Sequence, residues 1–136
     1  MATSPVELSF QGPAEPTCLD RTHDLLALLW QQRPDVAETD QIMFSTAVLE
    51  VANNIVSHGA AATVWLTLNG NARQLEAHFC DDGAALDVDL RSAVQPDALA
   101  ESGRGLALVR MTIDEFSYHH SDGLSHWHLV RRRSPS

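Results

Sequence analysis

The chain has little of what marks a secreted or membrane protein. Its two cysteines, Cys18 and Cys80, stand far apart and outside any metal-like spacing, so we expect reduced thiols and no disulfide scaffold. No apolar run approaches the roughly 18 residues that span a bilayer. The first residues lack the basic and apolar segments of a secretory signal. We therefore expect a cytoplasmic protein without a membrane segment.

Lysine is absent: all nine basic residues are arginines, against 18 acidic residues and a net charge of −9. Nucleic-acid affinity comes from neutralising phosphates with basic side chains, so this charge argues against a nucleic-acid partner. Arg131, Arg132 and Arg133 are interpreted as part of a solvated C-terminus, with residues 132–136 a short disordered tail. An acidic chain can still bind a nucleotide through backbone N–H groups and one or two arginines, and its charge suits a basic protein partner.

The length of 136 residues predicts one domain over residues 1–136, with a core of about 5–131. The predicted order is β-α-α-β-β-loop-α-β-β. The strands are placed at 5–10, 62–69, 74–80, 116–120 and 125–131, and the helices at 19–32, 40–58 and 103–115. Hairpin turns are expected at Asn69-Gly70-Asn71 and Asp122-Gly123. This order predicts an α/β two-layer sandwich, in which helices cover one face of a mixed, mostly antiparallel sheet.

The helix predicted over 40–58 has a broad apolar face and an opposite polar side. Glu50 and Asn54 are one turn apart on that polar side, and His58 continues the line. Taken alone, such a row is most often a solvated surface. These two side chains could nevertheless perform a specific chemistry. An amide oxygen can coordinate Mg²⁺, and a glutamate can orient or deprotonate an attacking hydroxyl.

Two glycine-containing turns follow. Asp81 ends a strand and Gly83 comes two residues later, so the carboxylate could accept a hydrogen bond from an exocyclic amine such as that of adenine, although a plain turn is the simpler interpretation. Gly103-Arg104-Gly105 is expected to open a helix whose N–H groups can face phosphates, with Arg104 or Arg110 adding positive charge. The apolar face of that helix is predicted to comprise Leu106, Leu108, Val109 and Ile113.

These three segments, in this order, resemble the GHKL ATPase superfamily with its Bergerat fold, and in particular its anti-sigma-factor serine/threonine kinases. Glu50-x-x-x-Asn54 resembles the N box, Asp81-x-Gly83 the first glycine box, and Gly103-x-Gly105-Leu106 the second. Neither a dinucleotide-binding fingerprint nor a P-loop fits the glycines. The similarity covers roughly residues 5–131.

The resemblance implies a binding site for ATP and Mg²⁺. Asp81 and Gly83 would hold the adenine, Asn54 would coordinate Mg²⁺ at the phosphates, and Glu50 would help to activate the acceptor hydroxyl. Gly103, Arg104, Gly105 and Leu106 would form the phosphate-facing hinge of a lid over about 88–102. The family phosphorylates a Ser or Thr of a STAS-domain anti-anti-sigma protein and sequesters a sigma factor. By analogy we also expect a possible homodimer through the exposed sheet face.

The chain departs from the family pattern at two places. Ala85 stands where the first glycine box usually has its second glycine, and Ser125 is only a loose counterpart of the threonine often found in the last strand. Binding is therefore better supported than turnover, and a nucleotide-binding module that sequesters a partner without phosphorylating it is the alternative. A catalytic fragment of a histidine kinase is a third interpretation, but the sequence shows no helix carrying a phosphoacceptor histidine.

A separate group of histidines lies near the C-terminus. If Asp122-Gly123 is a two-residue turn, His119 faces His126 across the hairpin and His128 shares that face. Three imidazoles there could bind a transition metal. Solvent-facing strand histidines are more often inert, and we favour that interpretation.

Overall fold

The structure, a computed structural model, describes residues 5–57, 61–84 and 100–134, without the side chains of 100–105. Its strands are β1 (Val6–Pro13), β2 (Thr63–Gly70), β3 (Gln74–Asp81), β4 (Glu115–Ser121) and β5 (Leu124–Arg132), and its helices are α1 (Thr17–Gln32), α2 (Glu38–Ser57) and α3 (Ala100–Thr112). The predicted order of elements is confirmed. None of the described helices is long and apolar enough to cross a membrane.

The five strands form one sheet in the order β1-β2-β3-β5-β4. All four neighbouring pairs are antiparallel, whereas we expected a mixed sheet with some parallel pairing. β3 and β4 run in the same direction, but they do not pair because β5 lies between them. The reason is that the β4–β5 hairpin inserts its second strand beside β3.

One face of this sheet is covered by the helices. Residues alternate between buried and partly exposed along β2 and β3, so a single sheet face carries the core. The helices pack against one another and α1 and α2 against the strands. The largest fully buried apolar side chains are Trp127, Phe44, Phe79, Leu29, Leu66, Leu68, Leu75, Leu106 and Leu129. The predicted two-layer sandwich is therefore confirmed.

The structure confirms one of the two predicted hairpin turns and places the other later in the chain. Asp122 and Gly123 have φ angles of 54° and 79°, as the mirror-image turn favoured in two-residue hairpins requires, and His119 pairs with His126 as expected. The other turn comes later than predicted, because Gly70 still belongs to β2. Residues 71–73 make the connection, and Asn71 Oδ1 accepts hydrogen bonds from the backbone N–H groups of residues 73 and 74 at 2.8 and 2.9 Å.

Two element boundaries also differ from expectation. β1 continues through Pro13, because β1 is an edge strand and a proline there removes no ladder hydrogen bond. α3 begins at Ala100, three residues early, and ends at Thr112 rather than at 115. It ends there because the Asp114 N–H donates to the carbonyl of Val130 at 2.8 Å, which leads the chain into β4.

The expectation of a solvated, disordered C-terminus was wrong for residues 131–134. Arg131 Nε lies 2.9 Å from Asp40 Oδ1, and Arg133 Nη1 lies 3.0 Å from Asp35 Oδ2. The Ser134 N–H donates to Asp40 Oδ2 at 2.9 Å. Asp40 is fully buried and requires such donors. This C-terminal segment therefore binds to the connection between α1 and α2, through Asp35, and to the first turn of α2, through Asp40.

Candidate functional site

Asp81 is a buried carboxylate held by neutral donors. It is the last residue of β3 and is 5% exposed. The Gly83 N–H donates to Oδ1 at 2.9 Å, and the indole N–H of Trp127 donates to Oδ2 at 2.9 Å. No ion pair between described residues includes Asp81. Because each carboxylate oxygen has two lone-pair sites, both oxygens can accept a further hydrogen bond.

Trp127 is a site residue that sequence reasoning missed. It lies on β5 opposite Phe79, is 1% exposed, and contacts the ring of Tyr118 with centroids 4.5 Å apart. The alternation along residues 125–131 could have placed it on the buried face. Its bond to Asp81 depends on how β5 aligns with β3, and the sequence gives no local sign of that register.

Ser125 lies directly across the sheet from Asp81. The two residues are partners in the β3–β5 pairing, and the Ser125 side chain is buried on the same face. Its hydroxyl oxygen is 3.0 Å from Tyr118 Oη and 2.9 Å from His120 Nδ1. Ser125, Tyr118 and His120 therefore form a small hydrogen-bond network at the strand position opposite Asp81. The sequence suggested Ser125 only as a loose counterpart of the threonine found in the family.

Asp82 fixes the turn that follows. Its Oδ1 accepts hydrogen bonds from the N–H groups of Thr63 at 2.9 Å and Ala62 at 2.7 Å. The hydrogen bond from the Thr63 N–H, and after it the bond from the Ala62 N–H, hold the pKa of the Asp82 carboxyl below its ordinary value. Desolvation opposes this shift but does not cancel it. The end of β3 is thus tied to the start of β2, which stabilises the orientation of the neighbouring Asp81.

Asn54 is buried, although the sequence placed it on the polar side of its helix. It is 7% exposed on α2, and its Nδ2 has no hydrogen-bond partner among the residues that the structure describes. A buried polar group left without a partner costs about 1–3 kcal/mol. Glu50, one turn earlier, is half-buried. An amide with unused hydrogen-bonding capacity is therefore present where a ligand could satisfy it.

The second glycine motif lies within α3 rather than before it. α3 starts at Ala100, so Gly103 and Gly105 belong to its first two turns, and the expected position at the helix N-terminus was wrong by three residues. The side chain of Arg104, residue Ala85, His58 and the lid residues 88–99 lie outside the part of the chain that the structure describes.

The rest of α3 corrects two further expectations. Leu106 and Val109 are buried in the core as predicted, but Leu108 is 38% exposed, because two residues along a helix turn the side chain by about 200°. Arg110 lies in the last turn of α3, where it lines a cavity with residues of β4. It is therefore at the opposite end of the helix from the glycines.

The predicted site residues are thus brought together only in part. Asp81 and Gly83 are in direct contact, and α2, which carries Glu50 and Asn54, packs against both β3 and α3. No hydrogen bond between described residues joins Asn54 to Asp81. The predicted histidines do share one sheet face, but no group of three or more metal-binding side chains among the described residues is arranged to hold a metal ion.

Comparison with known proteins agrees with this architecture. A family described as the histidine kinase-like ATPase domain matches residues 13–129. The chain belongs to this family. It is similar to a serine/threonine-protein kinase, BtrW of Bordetella bronchiseptica, with 35% identity over 96 residues that cover 63% of this chain and 66% of BtrW. The resemblance inferred from the three sequence motifs is confirmed.

The fold also matches a solved structure. The crystal structure of the RsbU and RsbW domains of Rv1364c from Mycobacterium tuberculosis aligns with 98% of this chain at a TM-score of 0.60 and 19% identity. The chain covers 34% of that protein, and it covers slightly less than two thirds of BtrW. The match to the solved structure shows the common fold of the sheet and its helices.

Proposed function

We propose that this chain binds ATP with Mg²⁺ and transfers the γ-phosphoryl group to a Ser or Thr of a partner protein. The observation that carries the proposal is the Asp81 carboxylate. It is buried, it is fixed by Trp127 and Gly83, and it retains acceptor capacity for an amine. The adenine base offers such an exocyclic amine, and the fixed geometry lowers the entropic cost of binding it.

Asn54 fits the phosphate end of the same ligand. Its amide oxygen would coordinate Mg²⁺, and its buried nitrogen, unpartnered among the described residues, would donate to a phosphate oxygen. Bound Mg²⁺ would neutralise charge that develops on the phosphates. Glu50, one turn away and half-buried, would accept the proton of the attacking hydroxyl. The glycines of α3, with Arg104 and Leu106, would border the phosphates.

The proposed protein partners follow from the family resemblance. The acceptor would be a STAS-domain anti-anti-sigma protein, and a sigma factor would be the protein that is sequestered, with a homodimer as the possible assembly. The similarity to BtrW, which is named a serine/threonine-protein kinase, supports the kinase activity. The net charge of −9 supports a protein partner over a nucleic acid.

The direct test mixes the protein, Mg-ATP and a STAS-domain protein from the same organism, and follows phosphate onto the STAS protein. The matched pair of variants is Asn54→Ala and Asn53→Ala, since Asn53 is the exposed neighbour on the same helix. We expect Asn54→Ala to lower nucleotide affinity and transfer, and Asn53→Ala to leave both unchanged. Equal effects of the two substitutions would contradict the role of Asn54.

A second substitution separates binding from turnover. Glu50→Gln keeps the size of the side chain and removes its basicity, so we expect Mg-ATP to bind as before while phosphoryl transfer slows by about 100-fold or more. If the unsubstituted protein binds Mg-ATP and transfers nothing to any STAS protein of its organism, the binding-only function replaces the kinase.

A further inference from the structure

The sheet face that the helices leave open collects four of the seven histidines of the chain. His78 lies on β3, His126 and His128 on β5, and His119 on β4, and together they line a shallow cavity of about 620 Å³. His78 was not part of the group that the sequence predicted. It joins the others because the β3–β5 pairing places it opposite His128. We call these four residues the histidine face.

The central contact of the histidine face joins the imidazole rings of His78 and His126. Nε2 of His78 lies 3.2 Å from Nδ1 of His126, and the two rings are stacked with an interplanar angle of 9° and centroids 5.4 Å apart. His119 stacks on the same His126 ring at 4.8 Å. His128 approaches His78 edge-on at 6.5 Å, and its Nε2 lies 2.6 Å from Glu76 Oε2.

This contact can exist only while at least one of the two rings is neutral. A hydrogen bond between two imidazole nitrogens needs one N–H and one lone pair, and a doubly protonated pair has two donors and no acceptor. Two cations at 3.2 Å would also repel each other, with His119 stacked on His126 close by. Protonation of both rings therefore removes a bond and adds a repulsion.

Among the residues that the structure describes, few other charged side chains line the histidine face. β3 contributes Glu76, whose carboxylate is bonded to His128, and the thiol of Cys80, whose pKa is raised by burial and then by Asp81 and Asp82, so that it stays neutral. β1 contributes Glu7, and the β2 residues that line the cavity, Thr67 and Asn69, are uncharged. Within the described part of the chain, Glu76 is thus the one carboxylate bonded to a histidine of this face.

We propose that the histidine face is a pH-sensitive element of this protein, in which acidification breaks the His78–His126 contact and loosens the pairing of β3 with β5. Partial desolvation first, and then the charges of the neighbouring His126 and His128, lower the pKa of His78 below its ordinary value. The unfolded chain therefore takes up this proton at a higher pH than the folded chain does. As a result the stability that depends on neutral His78 is present above about pH 6.5 and declines as the pH falls below it.

The test compares thermal unfolding at about pH 8 and about pH 5.5, on either side of the ordinary histidine pKa of ~6.5. EDTA is present throughout, so that no metal contributes. His78→Gln keeps a polar side chain that cannot titrate, and His23→Gln is the matched control, because His23 is exposed on α1. We expect the unsubstituted protein and His23→Gln to lose melting temperature equally on acidification, and His78→Gln to lose clearly less.

Two results would overturn the proposal. One is an equal acid-induced loss of melting temperature in His78→Gln and the unsubstituted protein. The other is a pH dependence that appears only when EDTA is omitted, because a bound cation would then be responsible. A titration of the imidazole ¹⁵N resonances provides an independent readout in the folded state, where His78 is expected to titrate below the ordinary histidine value of ~6.5. A His78 midpoint at or above that ordinary value would contradict the proposal.

Discussion

Two buried aspartates lie near opposite ends of the paired strands β3 and β5, and their surroundings differ sharply. Asp40, fully buried, meets the guanidinium of Arg131 and the backbone and hydroxyl of Ser134. Asp81, 5% exposed, meets two neutral donors among the described residues, Trp127 and Gly83. The first carboxylate is neutralised within the fold. The second keeps its acceptor capacity, as expected of a group that binds a ligand.

The difference separates a structural from a functional use of the same side chain. A buried carboxylate with an arginine partner joins distant segments, here the start of α2 and the end of β5. A buried carboxylate held by neutral donors is fixed in position while its charge remains available to a ligand. We therefore expect substitutions at Asp40 to act mainly on stability and substitutions at Asp81 to act mainly on nucleotide binding.

The largest effect is expected at Asp40. Asp40→Ala would leave the guanidinium of Arg131, which also donates to the Thr112 carbonyl, without its carboxylate. Removing one partner of a buried ion pair costs about 3–5 kcal/mol, which urea unfolding would measure. The control Asp24→Ala, on the exposed side of α1, should change the unfolding free energy by about 0.5 kcal/mol or less. A loss at Asp40 no greater than at Asp24 would contradict the structural role.

A smaller effect, on binding rather than on stability, is expected at Asp81. Asp81→Asn keeps the size of the side chain but removes its charge, and hydrogen bonds to charged groups contribute about 1.5–3 kcal/mol. We expect Mg-ATP affinity, measured by calorimetry, to fall by roughly 10- to 100-fold, while the unfolding free energy changes less than in Asp40→Ala. The comparison between the two aspartates would fail if Asp81→Asn cost more stability than Asp40→Ala and left the affinity unchanged.

Trp127 should show an intermediate behaviour. Trp127→Phe removes the indole N–H that holds Asp81 Oδ2 and should cost about 1 kcal/mol for the hydrogen bond, in addition to lost packing. Nucleotide affinity should weaken by less than tenfold, because the acceptor remains but is no longer fixed. Trp65→Phe, at a half-buried position of β2, is the control and should leave affinity unchanged. Equal affinities for both variants would argue against the positioning role of Trp127.

The smallest effect is expected at Asp35, whose small contribution to the free energy of unfolding should disappear in acid. Desolvation opposes ionisation of this carboxyl, but the hydrogen bond and charge of Arg133, and then Arg33, hold its pKa below the ordinary value. The unfolded chain therefore binds this proton first as the pH falls, and the stabilisation is present above about pH 3.9 and is lost below it. Because the side chain is 41% exposed, we expect Asp35→Asn to remove under about 1 kcal/mol at neutral pH.

That prediction is checked by urea unfolding at neutral pH and again below about pH 3.9. The difference in unfolding free energy between Asp35→Asn and the unsubstituted protein should shrink in acid. A difference that stays constant would show that the ion pairs of Asp35 do not contribute.

The sequence was informative wherever a structure is determined by neighbouring residues. The β4–β5 hairpin could be predicted because Asp122-Gly123 suits a two-residue turn, and the end of α1 followed from Arg33-Pro34. The order of elements and the two-layer architecture followed from periodicity in the same way. Local signals also located Asp81 at the end of its strand.

Contacts between distant segments could not be predicted. Trp127 is 46 residues from Asp81, and their bond depends on the register of β5 against β3. Arg131 is 91 residues from Asp40, so a run of arginines near the C-terminus looked like a solvated tail. Asn54 looked exposed because helical periodicity alone cannot show that α3 packs against α2.

The central claim is that the buried Asp81 carboxylate accepts a hydrogen bond from the exocyclic amine of adenine. Calorimetric titration of the protein with ATP and with inosine triphosphate, both with Mg²⁺, tests it most directly, because inosine carries a carbonyl oxygen in place of the amine. The account predicts that ATP binds at least about tenfold more tightly, since a carboxylate cannot donate a hydrogen bond to that carbonyl. Equal affinities for the two nucleotides, or no binding of either, would contradict it.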